Sequence, residues 1–251
     1  MFHFKTVLHI LGLLMTLNGF FMATLLPVSW VQASGDFSAL LISAAINANL
    51  GMIIWYFTRS TKKELSKRDG YLIVTLGWII LGITGSLPFL ISGHISSFAS
   101  AFFETMSGYT TTGASILDDI EALPAGIMLW RSMTQWIGGM GIIVLTVALL
   151  PLFGVGGMQL FMAEAPGPSG SKLHPKIGDT AKRLWIIYVL LTIVETILLK
   201  VAGMSWLDAV NHSFTTISTG GFSTKNSSVA AFNSPAIEYN ITAFMLVGGI
   251  N

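Results

Sequence analysis

The sequence predicts an all-α integral membrane protein that crosses the bilayer several times. Hydrophobic residues make up 53% of its 251 positions and charged residues only 10%, whereas about 25% of the residues in a typical soluble domain are charged. Several apolar runs reach the roughly 20 residues that a transmembrane helix needs. Cysteine is absent and the glycines follow no triplet period, so disulfide-stapled and collagen-like classes are excluded. The net charge of +1 gives no indication of a nucleic-acid partner.

Six apolar runs are the predicted membrane spans. They cover residues 6–26, 40–57, 71–91, 127–153, 185–201 and 236–251. The first run resembles a signal peptide, because Val31-Gln32-Ala33 has the small residues of a cleavage site. Its length of about 21 residues exceeds the roughly 7 to 15 residues of a signal peptide's apolar region, so we expect a retained helix.

The basic residues predict the orientation, because Lys and Arg collect in short cytoplasmic loops. Ten of the thirteen lie at Lys5, between residues 59 and 68, or between residues 172 and 183. The intervening loops at 28–37 and 115–125 contain no Lys or Arg, and the second loop is acidic. We therefore expect the N-terminus in the cytoplasm and the acidic loop outside.

Two stretches are neither good spans nor ordinary loops, and they repeat each other. Residues 98–115 and 205–223 each join an apolar helical half to a half rich in Thr, Ser and Gly. A segment that enters the membrane and leaves on the same side fits both stretches. A shift of 107 residues would pair Thr112 with Thr219, so the register is open by one residue. A shift of 108 residues instead pairs Ala101 with Ala209, Thr111 with Thr219, Gly113 with Gly221 and Ser115 with Ser223.

The repeated Thr-Gly segments have the composition of a cation-binding pore lining. A cation that leaves water needs its hydration oxygens replaced, and backbone carbonyls do this without adding a charge. Glycine adopts the backbone angles that turn carbonyls to one side. Small residues also allow close helix packing, which is the role we expect for residues 138–141, but two matching copies favour a pore lining. The candidate cation-binding residues are Thr111, Thr112, Gly113, Thr219, Gly220 and Gly221, flanked by Thr110, Ala114, Ser218 and Phe222.

These segments carry a resemblance to a known family. With Gly-Tyr-Thr-Thr-Thr-Gly-Ala-Ser at 108–115 and Thr-Ile-Ser-Thr-Gly-Gly-Phe-Ser at 216–223, the chain resembles the Trk/Ktr/HKT family of potassium transporters. Its two extra N-terminal helices are similar to those of the Trk branch. The resemblance implies four repeats of span, pore helix and span, of the potassium-channel-like type, around one pore. It also implies that the candidate residues form two quarters of a selectivity filter that binds K+, the transported ion.

The resemblance further implies partners and a location. Family members form homodimers in which each subunit keeps its own pore, and they work with a cytosolic, TrkA-like regulatory subunit that binds nucleotides. The resemblance implies no covalently bound cofactor, and it implies the bacterial cytoplasmic (inner) membrane. Each segment here shares one glycine position with the Thr-Val-Gly-Tyr-Gly filter of potassium channels, which leaves selectivity over sodium open.

We divide the chain into four parts. Residues 1–69 contain the two extra helices and a basic cytoplasmic loop, and residues 70–153 contain the first repeat. Residues 154–183 are a predicted cytoplasmic linker, and residues 184–251 contain a second repeat whose last span has only 16 residues. Because two of the four implied repeats are present, we expect the N-terminal half of a longer protein.

Four charged residues lie within or beside the predicted helices of the two repeats. Glu104 and Asp208 lie on or at the start of the predicted pore helices. Negative charge there would concentrate cations at the outer mouth, or the side chains would hydrogen-bond to backbone behind the filter. Glu195 lies within the fifth span, either as a functional carboxylate or as the partner of a neighbouring helix. We expect Arg131, at the start of the fourth span, to extend to the outer interface.

Common enzyme motifs are absent from the sequence. It contains no Gly-x-x-x-x-Gly-Lys-Ser/Thr loop, no His-Glu-x-x-His, no Gly-x-Ser-x-Gly and no cysteine, so we predict that the chain is not an enzyme. The alternative function is a secondary transporter with broken helices, which would bind an anionic or zwitterionic solute at half-helix N-termini. Many such transporters have inverted repeats, whereas both copies here start on the same side of the membrane.

Overall fold

The computed structural model describes residues 3–59, 66–141 and 177–249, and the regular secondary structure of these residues is entirely helical. This confirms the predicted all-α class. The helices are α1 (Phe4–Ala23), α2 (Leu26–Val31), α3 (Phe37–Thr58), α4 (Lys67–Gly85), α5 (Leu87–Ile91), α6 (Phe98–Tyr109), α7 (Ala125–Gly139), α8 (Ile177–Val201), α9 (Trp206–Ile217) and α10 (Pro235–Gly249), with a 3-10 helix at Ser228–Phe232.

Four helical segments among the described residues are long and apolar enough to cross a membrane. They are Phe4–Val31, Phe37–Thr58, Arg68–Ile91 and Lys182–Val201, and they match four of the six predicted spans. The chain is therefore a multi-pass membrane protein. The other two spans stay predictions, because α10 contains 15 residues and the fourth run continues past Gly141 into residues outside the described part.

The helices α1 and α3 form a hairpin whose backbones approach closely. A Cβ atom added to Gly12 would lie 2.8 Å from the Gly51 carbonyl oxygen, and one added to Gly51 would lie 2.6 Å from the Gly12 carbonyl oxygen. Only glycine leaves room for this contact, as is common where membrane helices pack closely.

A buried polar network joins this hairpin to α4 and α6. The Tyr109 hydroxyl at the end of α6 donates to Asn18 Oδ1 at 2.7 Å. Asn18 Nδ2 donates to Asn47 Oδ1 at 3.3 Å, and Asn47 Nδ2 donates to the Thr84 carbonyl at 3.3 Å. Because every partner is buried, these hydrogen bonds fix the position of the C-terminal end of α6.

The helices α6 and α9 are equivalent elements of the internal repeat. Each contains 12 residues, and each begins after a serine whose hydroxyl caps the helix. Ser97 Oγ accepts from the Ser100 N–H and Ser205 Oγ accepts from the Asp208 N–H. Because Ser97 and Ser205 are also 108 residues apart, the structure repeats at a shift of 108 rather than 107.

The two repeats share one apolar core, centred on Trp136 of α7. Its indole Nε1 donates to Thr192 Oγ1 at 3.0 Å, and its carbonyl accepts from the Tyr188 hydroxyl at 2.9 Å. The Trp136 ring also packs against Phe214 of α9. Helix α8 supplies Tyr188 and Thr192, and its described part, Ile177–Val201, includes the last residues of the predicted linker. Linker residues 154–176 lie outside the described part of the chain.

Candidate ion-binding site

The helices α6 and α9 end in the same hydrogen-bonding pattern. In the first copy the Thr111 N–H donates to the Gly108 carbonyl and the Thr112 N–H donates to the Ser107 carbonyl, both at 2.9 Å. In the second copy the Thr219 N–H donates to the Thr216 carbonyl and the Gly220 N–H donates to the Thr215 carbonyl. These are the equivalent positions of the repeat. This is the Schellman pattern, which requires a left-handed residue directly after the residue that caps the helix.

The left-handed residue is threonine in both copies. Thr111 and Thr219 each have a φ angle of 54°, which is unusual for a β-branched side chain and costs roughly 1–2 kcal/mol. Gly113 and Gly221, two residues further on, have φ angles of 76° and 82°. Strained backbone of this kind persists where the surrounding structure fixes it, and it clusters at functional sites.

The two Thr-Gly segments lie side by side. A Cβ atom on Gly113 would overlap the carbonyl oxygen of Gly220, and a Cβ atom on Gly220 would overlap the side-chain amide of Gln135. Thr112, Thr219 and Gly221 remain exposed. The structure therefore brings the six candidate residues into two adjacent strips of backbone, with one side of the pair open.

Several hydrogen bonds fix the residues that flank the segments. The Ser107 hydroxyl donates to the Ala114 carbonyl at 2.5 Å, and Thr110 Oγ1 lies 2.8 Å from Thr112 Oγ1. In the second copy the Phe222 N–H donates to Gln135 Oε1 at 3.1 Å. Ser218, the remaining flanking residue, bonds through its hydroxyl to carbonyls within its own helix.

Glu104 supports the first segment from behind. It is fully buried, and it accepts hydrogen bonds from the Ser115 hydroxyl and from the Ile116 N–H, both at 2.9 Å. The equivalent residue of the second copy is His212, which lies 3.1 Å from the hydroxyl of Ser223. Of the two interpretations given for Glu104, its contacts match hydrogen bonding behind the segment rather than exposure at an outer mouth.

Asp208 lies in the first turn of α9, the helix that Ser205 caps. Its carboxylate accepts from the Ser205 hydroxyl at 2.6 Å and from the Thr224 hydroxyl at 2.5 Å. Negative charge in the first turn of a helix is favourable. The contacts of Asp208 therefore also match local hydrogen bonding, and they connect the chain after the second segment to α9.

Arg131 does not extend to the interface, and that expectation was wrong. Its side chain is only 2% exposed, and its Nε lies 2.6 Å from Oε1 of Glu104. A long basic side chain reaches for the interface when it lacks a counter-charge in the membrane, and here Glu104 supplies one.

Glu195 of α8 is fully buried. Neither of its carboxylate oxygens has a hydrogen-bond partner among the described residues, although the Thr216 side chain of α9 lies close to it. The two interpretations of Glu195 therefore both stand.

Groups of three or more potential metal ligands from His, Cys, Asp and Glu do not occur within the described ranges.

Two residues whose contacts with the segments were not predicted from the sequence both lie on α7. Gln135 accepts from the second segment, and Arg131 reaches both copies through Glu104 and the Ser223 carbonyl. Their spacing of four residues places them on one face of the helix. Polar side chains inside an apolar run indicate function in a membrane protein. This signal could have identified the polar face of α7 from the sequence.

The helical architecture and the duplicated segments define a multi-pass membrane protein with an internally repeated polar site. Residues 37–251 match the TrkH family, described as "Cation transport protein". The chain belongs to this family. The resemblance to the Trk/Ktr/HKT proteins is thereby confirmed at the level of the Trk branch.

Named relatives agree with this assignment. The chain is 47% identical to "Trk system potassium uptake protein TrkH" of Salmonella typhimurium and 37% identical to "Trk system potassium uptake protein TrkG" of Escherichia coli, in both cases over 99% of its length. The crystal structure of the potassium transporter TrkH from Vibrio parahaemolyticus is similar, with a TM-score of 0.83 and 40% identity over 99% of this chain and 50% of that one. The chain spans about half the length, 52%, of these curated relatives.

Proposed function

We propose that the chain supplies two of the filter-lining segments of a potassium-translocating membrane subunit. The observation that carries the proposal is the repeated backbone path, in which Thr111 and Thr219, and then Gly113 and Gly221, have positive φ angles. Positive and negative φ angles alternate along each segment. This alternation turns successive backbone carbonyls to one side. Such carbonyls replace the hydration shell of a cation.

The sign of the bound charge follows from the helix ends. Both segments follow the C-terminal ends of α6 and α9, and the C-terminal end of a helix carries about half a negative charge. This arrangement favours a cation. An anionic or zwitterionic solute in a broken-helix transporter would be expected at helix N-termini, so the alternative function has less support.

The open side of the two segments indicates further repeats. Thr112, Ala114 and Gly221 are exposed in this chain, and polar backbone is not tolerated against lipid. We infer that additional segments of the complete subunit close the ring. By "complete subunit" we mean this chain together with any sequence that its gene encodes beyond Asn251.

The proposed setting is the bacterial cytoplasmic membrane, with the N-terminus in the cytoplasm. The distribution of basic residues supports this orientation. We also propose a homodimer, which the family resemblance implies. A cytosolic nucleotide-binding partner is proposed as well, and the naming of the relatives as parts of a Trk system supports a further component. Transport of K+ without covalent chemistry is the proposed activity.

The test is flux of 86Rb+ or K+ into liposomes that contain the complete subunit and its regulatory partner, with Na+ measured in parallel. The proposal predicts flux that follows the cation gradient, and its loss or altered selectivity in Gly113→Asp and Gly221→Asp. Wild-type flux in both variants would reject the filter assignment. Solute uptake without cation flux would instead support the transporter alternative.

A further inference from the structure

A buried ion pair connects the two repeats. Arg131 Nε lies 2.6 Å from Glu104 Oε1, with the two side chains 2% and 0% exposed. Removing two charges from water costs so much free energy that a buried ion pair is often no more stabilising than apolar residues of the same size. Stability alone therefore does not explain this pair, and the other contacts of the two side chains suggest a positioning role.

Glu104 holds the end of the first segment. Beyond Arg131, it accepts from the Ser115 hydroxyl and from the Ile116 backbone N–H. These residues directly follow Gly113 and Ala114. The carboxylate thus fixes the point at which the chain leaves the first candidate filter segment.

Arg131 holds the end of the second segment. Its Nη1 donates to the Ser223 backbone carbonyl at 3.2 Å, and its guanidinium carbon lies 3.5 Å from the centre of the Phe222 ring. Ser223 is the repeat equivalent of Ser115. One ion pair therefore fixes the same point of both segments, through a backbone N–H in one copy and a backbone C=O in the other.

We propose that Glu104 and Arg131 are positioning residues that fix the spacing of the two segments at their C-terminal ends and so contribute to discrimination between K+ and Na+. The proposal rests on the proposed function. Carbonyls select between cations by their number and placement around the ion, and a displacement of one segment against the other changes that placement. Because the two charges cancel, the pair adds no net charge beside the ion path.

The chain contains a matched control for this pair. Lys225 Nζ lies 2.9 Å from Glu121 Oε2, with side chains 36% and 45% exposed, and this pair also joins the first repeat to the second. It connects the loops that follow the segments, in contact with solvent, where an ion pair contributes little. Burial and contact with the segment ends are the features that separate the two pairs.

The experiment measures the ratio of Na+ to 86Rb+ flux in liposomes with the complete subunit. The double variant Glu104→Gln/Arg131→Gln removes both charges, so it leaves no unpaired buried charge to block folding. It is expected to raise the ratio by roughly five- to tenfold, the scale of one lost intramolecular hydrogen bond. The control Glu121→Gln/Lys225→Gln is expected to keep the wild-type ratio.

A second variant makes the result independent of the folding of the first. Arg131→Lys keeps a charge for Glu104 but lacks the planar fork that reaches a second acceptor, so it should also raise the ratio, in the same direction. A monodisperse size-exclusion profile confirms folding for each variant. Should the double variant not meet this criterion, the flux ratio of Arg131→Lys is the test. An unchanged ratio with reduced total flux would overturn this inference alone, whereas absence of Rb+ flux in the wild type would reject the proposed function itself.

Discussion

Thr111 and Thr219 lie 108 residues apart and have the same φ angle of 54°. Each follows a 12-residue helix directly after its capping residue, and each donates its N–H to the carbonyl three residues earlier. Threonine rarely adopts this conformation. The Schellman ends of both helices therefore place the same strained residue at the start of each candidate segment.

Replacing Thr219 by glycine should relieve backbone strain. Thr219→Gly is expected to stabilise the complete subunit by up to about 1 kcal/mol, because glycine adopts positive φ without a Cβ clash. The control is Thr110, which precedes Thr111 in the first copy and has an ordinary φ angle of −84°. Thr110→Gly is therefore expected to destabilise the complete subunit by about 0.5–1 kcal/mol. Thermal unfolding in detergent measures both. Equal signs for the two variants would show that the strain at Thr219 has no energetic consequence.

Gln135 should be important for the second segment. Gln135→Ala leaves the buried Phe222 N–H without its acceptor, which is expected to cost about 1–3 kcal/mol. Gln32 is exposed, so Gln32→Ala is expected to change stability by less than about 0.5 kcal/mol. Apparent melting temperatures of the two variants test the difference. Indistinguishable values would mean that Gln135 does not support the segment.

Two fully buried glutamates should respond in opposite ways to the same substitution. Glu195 has no hydrogen-bond partner among the described residues, and an amide removes the cost of burying a carboxylate, so Glu195→Gln should leave the melting temperature unchanged or raise it. Glu104→Gln instead leaves Arg131 without its counter-charge and is expected to cost about 3–5 kcal/mol. A large loss of stability in Glu195→Gln would indicate an ionised carboxylate with a partner outside the described residues.

The contact between the loops that follow the two segments should weaken in acid. The hydrogen bond from Lys225 lowers the pKa of Glu121 below its ordinary value. A lowered folded-state pKa means that the contact is fully present above the ordinary pKa of glutamate and is lost as pH falls through the lowered value.

Spin labels measure this loop contact directly, because the 251 residues contain no native cysteine. Labels at Asp118→Cys and Ser227→Cys should give a narrow distance distribution at pH 7 and a broader one at pH 3. With Lys225→Gln added, the distribution should be broad at pH 7 as well as at pH 3. A distribution that is equally narrow under all conditions would contradict a role of the ion pair in holding the loops.

Local sequence signals predicted much of the fold. Apolar runs identified four spans that the structure contains, and the Thr-Gly pattern identified the segments after α6 and α9. These features depend on residues that are close together in the sequence, so composition and spacing are enough to predict them. The choice between shifts of 107 and 108 needed the helix caps and backbone angles of the structure, because both shifts align threonine and glycine.

The contacts behind the segments could not be predicted in the same way. Glu104 and Arg131 are 27 residues apart, and Gln135 and Phe222 are 87 residues apart. Such pairs arise from the packing of α7 against both α6 and α9, which no local pattern encodes. The interfacial placement of Arg131 failed for this reason, since it assumed that no carboxylate lay within reach.

The most direct test of the account compares two glycines with the same backbone angle. Gly221 and Gly35 both have a φ angle of 82°, and neither has an atom within 4 Å of an added Cβ, so alanine imposes the same strain of roughly 1–2 kcal/mol at each. Only Gly221 lies in a candidate filter segment. In 86Rb+ flux of the complete subunit, Gly221→Ala is predicted to reduce flux or raise the Na+ to Rb+ ratio, while Gly35→Ala behaves as wild type. Equal flux and equal selectivity in the two variants would contradict the assignment of these segments to a potassium filter.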